Sequence, residues 1–315
     1  MNITKSTFAH FKEYVLSNPS TGESVHILPE LGGIIRKLSL RKGNKSFTVI
    51  NCGDTLEELQ AQLSSYPSTH LFPWGNRVRN GQFTYNGSTH QLPLNEVNLQ
   101  NALHGFVYFS PFKIMEATVV DDVAILVLRY TYKGGYFGYP FPFTLDITHS
   151  FSTGNGLTLT YTITNIGTTT MPTSLGWHPY FQFEGEKVDD LLLTIPSTHQ
   201  YQSDSQMIPV GRSERQFGEA VSLSNVNLDT IFALEPSTDK HEIILSSPAK
   251  DVAIHLWQDA AANQFNYSIV YTPDSRDRIA IEPMTAPTDA LNSGENLLEI
   301  KAGEECVLNC GVYLR

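Results

Sequence analysis

Two stretches of the chain hold a titratable side chain in the same setting. In "SLGWHPYF" (174–181), an extended backbone sends alternate side chains to opposite faces. Leu175, Trp177, Pro179 and Phe181 fall on one face, and Ser174, Gly176, His178 and Tyr180 on the other. A small residue stands two before the histidine and a proline directly after it. In "RIAIEPMTAPTDALN" (278–292), Ile279, Ile281 and Pro283 share one face, and Ala280, Glu282 and Met284 the other. Glu282 has the same flanks: a small residue two before, a proline after. A carboxylate on so apolar a strand needs a partner or a polar cleft. An unperturbed glutamate is ionised at pH 7 and can take a proton, and a histidine can give one. Placed on opposite sides of a small molecule, the two would perform general acid–base catalysis without a cofactor.

Three further segments supply candidates. "FPWGNRVRNGQF" (72–83) holds Asn76, Arg77 and Arg79 among turn formers. Arg77 carries a planar donor fork suited to sugar or anionic oxygens, or is a solvated loop arginine. "NALHGF" (101–106) holds His104 before a glycine, and "NLDTIFAL" (227–234) holds Asp229 at the start of an apolar strand. A structural histidine and a turn-capping aspartate are the plain alternatives. Glu282 with Asp229 would also make a glycosidase pair. His104, His178 and a carboxylate would make a metal site, but no His-x-His or H-E-x-x-H spacing supports one. There is no P-loop, no G-x-G-x-x-G after a strand and no G-x-S-x-G elbow. Neither cofactor nor metal is therefore expected.

These residues need strands to hold them, and strands dominate the pattern. "DVAILVLRYTY" (122–132), "FTLDITHSF" (143–151), "GLTLTYTITN" (156–165), "HEIILSS" (241–247) and "DVAIHLWQ" (251–258) all alternate with period two. Asn86-Gly87 and Asn155-Gly156 carry the positive-φ chemistry of tight hairpins. Only "DTLEELQAQL" (54–63) reads as a helix, capped by Asp54 or Thr55. The expectation is an all-β protein, a large antiparallel sandwich with one or few short helices, forming a single domain over 1–315. The glycine-, proline- and aromatic-rich "KGGYFGYPFPF" (133–143) reads as an ordered loop, since disordered linkers lack aromatics.

The balance of 21 basic against 32 acidic residues, −11 overall, argues against nucleic acid or an anionic membrane as partner. The first residues show no signal-peptide pattern, and no apolar run is long enough for a membrane span. Cys306 and Cys310 lie in one predicted strand, roughly 13 Å apart, too far for a disulfide. With Cys52 they read as free thiols, consistent with a reducing cytoplasm. A cytoplasmic monomer or homodimer acting on a small molecule is the expectation.

Taken together, "NRVRNGQF", "NALHGF", "GWHPYF", "LDTIFAL" and "IEPMTAPTDALN" resemble one family, the aldose 1-epimerases or galactose mutarotases, in order and in approximate spacing over residues 70–295. The resemblance implies a large β-sandwich with a sugar cleft on one sheet. It implies Glu282 as general base, His178 as general acid and His104 as an assisting sugar contact. It implies Asp229 and Arg77 as ligands of sugar hydroxyls, with Asn76 shaping the loop. Pro179 stands where many members have serine, and Val78 where many have isoleucine. The implied reaction interconverts the α and β anomers of a free aldohexose. A hexose-phosphate mutarotase and a non-catalytic carbohydrate-binding protein are the alternatives. Gly176 would keep the cleft floor low beside His178, and Trp257 is a candidate to stack on the sugar face.

Overall fold

The computed structural model describes residues 1–135, 138–214 and 216–315. The period-two segments become antiparallel strands of a large sandwich, because each can bury one face only against another sheet. Residues 2–51 form a five-stranded meander in chain order. The hairpins at 113–165 build one half of a nine-stranded sheet. The C-terminal strand Glu305–Leu314 pairs with Gly156–Asn165, and Val252–Asp259, Lys240–Ser247, Leu192–Thr194 and Val221–Ser222 complete it.

The third sheet carries the candidate residues. Its order runs Pro209–Glu214, Ser197–Ser203, Asp229–Leu234, Tyr267–Tyr271, Ile279–Met284, Gly176–His178, Thr69–Leu71, with Tyr180–Phe181 also paired to Ile279–Met284. One apolar cluster takes side chains from all three sheets, among them Leu16, Tyr161, Trp177, Phe232 and Ile281. The inward face of the third sheet thus joins the common core. Its other face carries Glu282, His178 and a smaller apolar cluster around Ile231, Ile269 and Met284.

The local expectations mostly hold. Leu56–Gln62 is helical, with Thr55 as cap and Glu58 closing a capping box. Asn86 and Gly87 both have positive φ, 48° and 78°, in the hairpin between Gln82–Tyr85 and Ser88–Gln91. Asn155-Gly156 differs. Ser152 pairs with Gly156, so the connection is three residues long, and the positive φ values fall on Gly154 and Gly156. The extra residue moves the left-handed positions off the asparagine. In the 133–143 segment Tyr139, Phe141 and Phe143 are buried in the core; Tyr136 and Phe137 lie outside the described residues. The three cysteines are free. Among the described residues, no helix is long and apolar enough to cross a membrane.

Candidate active site

A cleft of about 380 Å³ opens on the outward face of the third sheet. Its floor is Glu282 and His178, on adjacent strands. Gly176 pairs with Met284 across the antiparallel ladder, so residue 178, two after Gly176, and residue 282, two before Met284, meet side by side. His178 Nε2 lies 3.4 Å from Glu282 Oε1. The alternation read from the sequence fixes which side chains enter: Trp177 and Ile281 turn into the core, and Tyr180 joins the cleft wall.

Asn76, Arg77 and His104 come from a two-stranded ribbon in which Arg77–Arg79 pairs with Asn101–Leu103. Asn76 and His104 flank the Arg77–Leu103 pair, and both are left-handed, with φ of 56° and 64°. The His104 amide donates to the Asn76 carbonyl at 2.9 Å. This double twist turns both side chains into the cleft. The glycine after His104 is obligatory here, because a Cβ on Gly105 would sit 2.0 Å from the Phe72 carbonyl oxygen. The His104 ring packs edge-on against Tyr66 at 4.7 Å and against His178 at 5.3 Å. Asn76 Oδ1 accepts from Thr288 Oγ1 at 2.7 Å and from the Arg77 amide at 3.0 Å. Asp229 begins the next strand but one and stands at the rim.

Burial sets the protonation of this group. It pushes the Glu282 carboxyl well above the usual carboxylate range, and Asp229 adds to the rise while Arg77 opposes it. Burial draws His178 down to about 4, with Arg278 contributing. His104 is lowered well below its ordinary value by burial, by His178 and by Arg77. Asp229 is exposed on its outer side, yet the cleft walls strip enough water from its carboxyl to raise it. Glu282 Oε2 and His104 Nδ1 are buried with no hydrogen-bond partner in the protein. Both atoms belong to residues that line the cleft and are free to meet a polar group there.

One cleft residue carries no signal in the sequence. Glu96 grips Arg77 at Nε, 2.9 and 3.1 Å from its two oxygens, and at Nη2, 2.9 Å. Asn101 Nδ2 donates to Glu96 Oε2 at 2.9 Å. Glu96 lies in an irregular loop, and only the fold brings it to Arg77. Two expectations need correction. Trp257 does not line the cleft; it stands in the nine-stranded sheet, and Tyr66, Tyr180 and Tyr271 supply the cleft's aromatic rings. Gly176 does not clear room for a ligand. A Cβ there would meet Met284 Sδ at 2.3 Å, so the glycine makes room for that thioether. Among the described residues, no group of three or more His, Cys, Asp or Glu side chains is placed to hold a metal ion.

An all-β sandwich with a buried carboxyl–imidazole pair on one sheet face is the class of protein that this geometry defines. The chain belongs to the aldose 1-epimerase family, whose model matches residues 12–312. It is 28% identical over 296 residues to the uncharacterized protein YihR of Escherichia coli K12, covering 88% of this chain and 92% of the relative. It is 27% identical over 209 residues to the galactose mutarotase of Rattus norvegicus, 58% of this chain and 59% of that one. Its fold matches a galactose mutarotase-like protein from Clostridium acetobutylicum with a TM-score of 0.88 at 19% identity, covering 100% and 98% of the two chains. Galactose 1-epimerase from Lactobacillus acidophilus matches with a TM-score of 0.80 at 19% identity over the same shares.

Proposed function

We propose that this protein is an aldose mutarotase, interconverting the anomers of a free, unphosphorylated aldohexose by acid–base ring opening. The observation that carries the reading is the Glu282–His178 pair on the cleft floor. Glu282 takes the proton of the C1 hydroxyl, and His178 gives a proton to the ring oxygen. The C1–O5 bond breaks as the C1 carbonyl forms. Rotation about C1–C2 presents the other carbonyl face, and the steps reverse to close the ring. Protons balance between the two side chains, so the sequence of steps needs no further reagent. His104, kept neutral, offers a hydrogen bond beside the reacting centre. Arg77 and Asp229 hold hydroxyls remote from C1, which lets the open aldehyde turn.

The charges around the cleft favour a neutral sugar over a phosphosugar. A phosphate needs free cationic forks. Arg77 is held bidentate by Glu96. Arg79 is bound to Asp204 and to Gln206, each at 2.6 Å. Arg278 is held by Gln62 and Ser65 and lies over the Tyr180 ring. With Asp229 beside them, these groups offer a phosphate no free cationic fork.

The test is polarimetry on freshly dissolved α-D-glucose and α-D-galactose, comparing wild type with Glu282→Gln. Wild type is expected to speed the decay to equilibrium rotation, and the variant to lose about 10²- to 10⁴-fold of that acceleration. Equal rates in both would remove Glu282 from the chemistry. Acceleration only with hexose 6-phosphates would establish the phosphosugar alternative. Binding of sugars without any turnover would make the protein a carbohydrate-binding module.

A further inference from the structure

On the outer face of the nine-stranded sheet lies a second concavity of about 450 Å³, sharing no lining residue with the cleft. Trp257 is one of its lining residues, and beneath Lys240 only 9% of its surface is exposed. Val252, Ile254 and Leu256 of the same strand face the core, so parity sends Trp257 outward. The indole has a prepared seat. Gly311 is its partner across the ladder, and a Cβ at that position would come within 2.5 Å of the indole Nε1. Only glycine lets the ring settle on the sheet. The opposite face of the ring is covered by Lys240 Nζ, 3.7 Å from its centre.

Polar groups surround this plate. Tyr313 donates its hydroxyl to Glu242 at 2.6 Å and stacks on His255 at 4.9 Å. The Arg315 guanidinium lies 5.1 Å from the Tyr313 ring centre. Among the lining residues Lys240 and Arg315 stand against one carboxylate, Glu242; with Lys240 moved aside the remaining pair is balanced and selects no strong anion or cation. Its volume lies within the range of small-molecule sites. The face of an aromatic ring that attracts an ammonium also attracts the partly positive C–H face of a pyranose, by the same quadrupole. Carboxylate and guanidinium forks beside it suit hydroxyls.

We propose that this concavity is a second, non-catalytic saccharide site, in which Lys240 swings away and a neutral pyranose takes its place on Trp257. Lys240 is exposed, and an exposed cation–π contact is weak enough to exchange. The site takes only its ligand class from the mutarotase reading; its geometry stands apart from the cleft.

The chain has three tryptophans, and Trp74 and Trp177 are buried in the core. The full chain labelled with 5-fluorotryptophan therefore gives three fluorine signals, and Trp257→Phe identifies the third. Methyl β-D-galactopyranoside and methyl α-D-glucopyranoside are the probes, since neither can ring-open. The Trp257 signal is expected to move saturably at about 1–10 mM glycoside. Lys240→Ala, at an exposed position, should tighten binding about 2- to 5-fold by removing the competitor. Trp257→Phe should leave the mutarotation rate unchanged. A Trp257 signal unmoved up to roughly 100 mM in both wild type and Lys240→Ala overturns the proposal. So does movement confined to Trp177, which is buried in the core behind the cleft floor. A shift that tracks protein concentration and dimer formation in sedimentation would assign the face to a second copy instead. Failure of the mutarotase reading would show in the rate assay and leave this signal intact.

Discussion

The protonation of the Glu282–His178 pair makes a demanding prediction about pH. An isolated imidazole with its pKa drawn down to about 4 holds a proton at pH 7 in about one molecule in a thousand, at a cost of about 4 kcal/mol. His178 could not serve as an acid if it drew that proton from water. Its neighbour 3.4 Å away holds one, because burial raises Glu282. With one proton shared, the pair has the same net charge wherever the proton sits, so passing it across separates charge only locally. The singly protonated pair is then the active form. The rate should rise with pH through about 4, as the second proton leaves. It should fall again only well above the usual carboxylate range, where Glu282 loses the last proton. Initial polarimetric rates across about pH 3.5 to 10, less the buffer-catalysed rate, give the profile. In Glu282→Gln the proton store is gone, so the residual rate should fall about tenfold per pH unit above about 4. A wild-type rate that does not rise between about pH 3.5 and 5, or a variant with the wild-type profile, would refute the reasoning.

Glu96→Gln should raise KM about 10-fold or more with a smaller effect on kcat, since a charge-assisted hydrogen bond contributes about 1.5–3 kcal/mol and its loss frees Arg77 to turn away from the sugar. The uncompensated Arg77 should also pull Glu282 down, moving the alkaline limb to lower pH; an unmoved limb would leave Glu96 a purely structural role. His70 and His149, buried behind the site, are drawn by burial to about 3 and about 4. The unfolded chain protonates them near 6.5, so it binds the extra protons and stability drains as pH falls from about 6.5 toward 3. His70 alone accounts for about 5 kcal/mol by the bottom of that window, which denaturant titrations at pH 7 and 4.5 would register as a clear fall in midpoint.

The faces of the strands that carry His178 and Glu282 were legible because a strand's period is two. Trp177 and Ile281 could not enter the core without sending His178 and Glu282 the other way. The same rule gave the buried row Leu157, Leu159, Tyr161 and Ile163. Hairpin chemistry was less secure, as the three-residue connection before Gly156 shows, because loop length depends on pairing register as well as on turn residues.

By itself the sequence determined the all-β class and the face on which each titratable side chain of a regular strand stands. These follow from local backbone geometry. The tertiary structure alone decided what stands next to what. The 3.4 Å approach of His178 to Glu282 spans about a hundred residues of chain and depends on the Gly176–Met284 register. Glu96 reaches Arg77 through an irregular loop that has no period to read. Trp257 went to another sheet because alternation specifies a strand's face and says nothing about its neighbours. Gly176 serves Met284 for the same reason: what fills the space a glycine leaves is settled by the strand packed beside it.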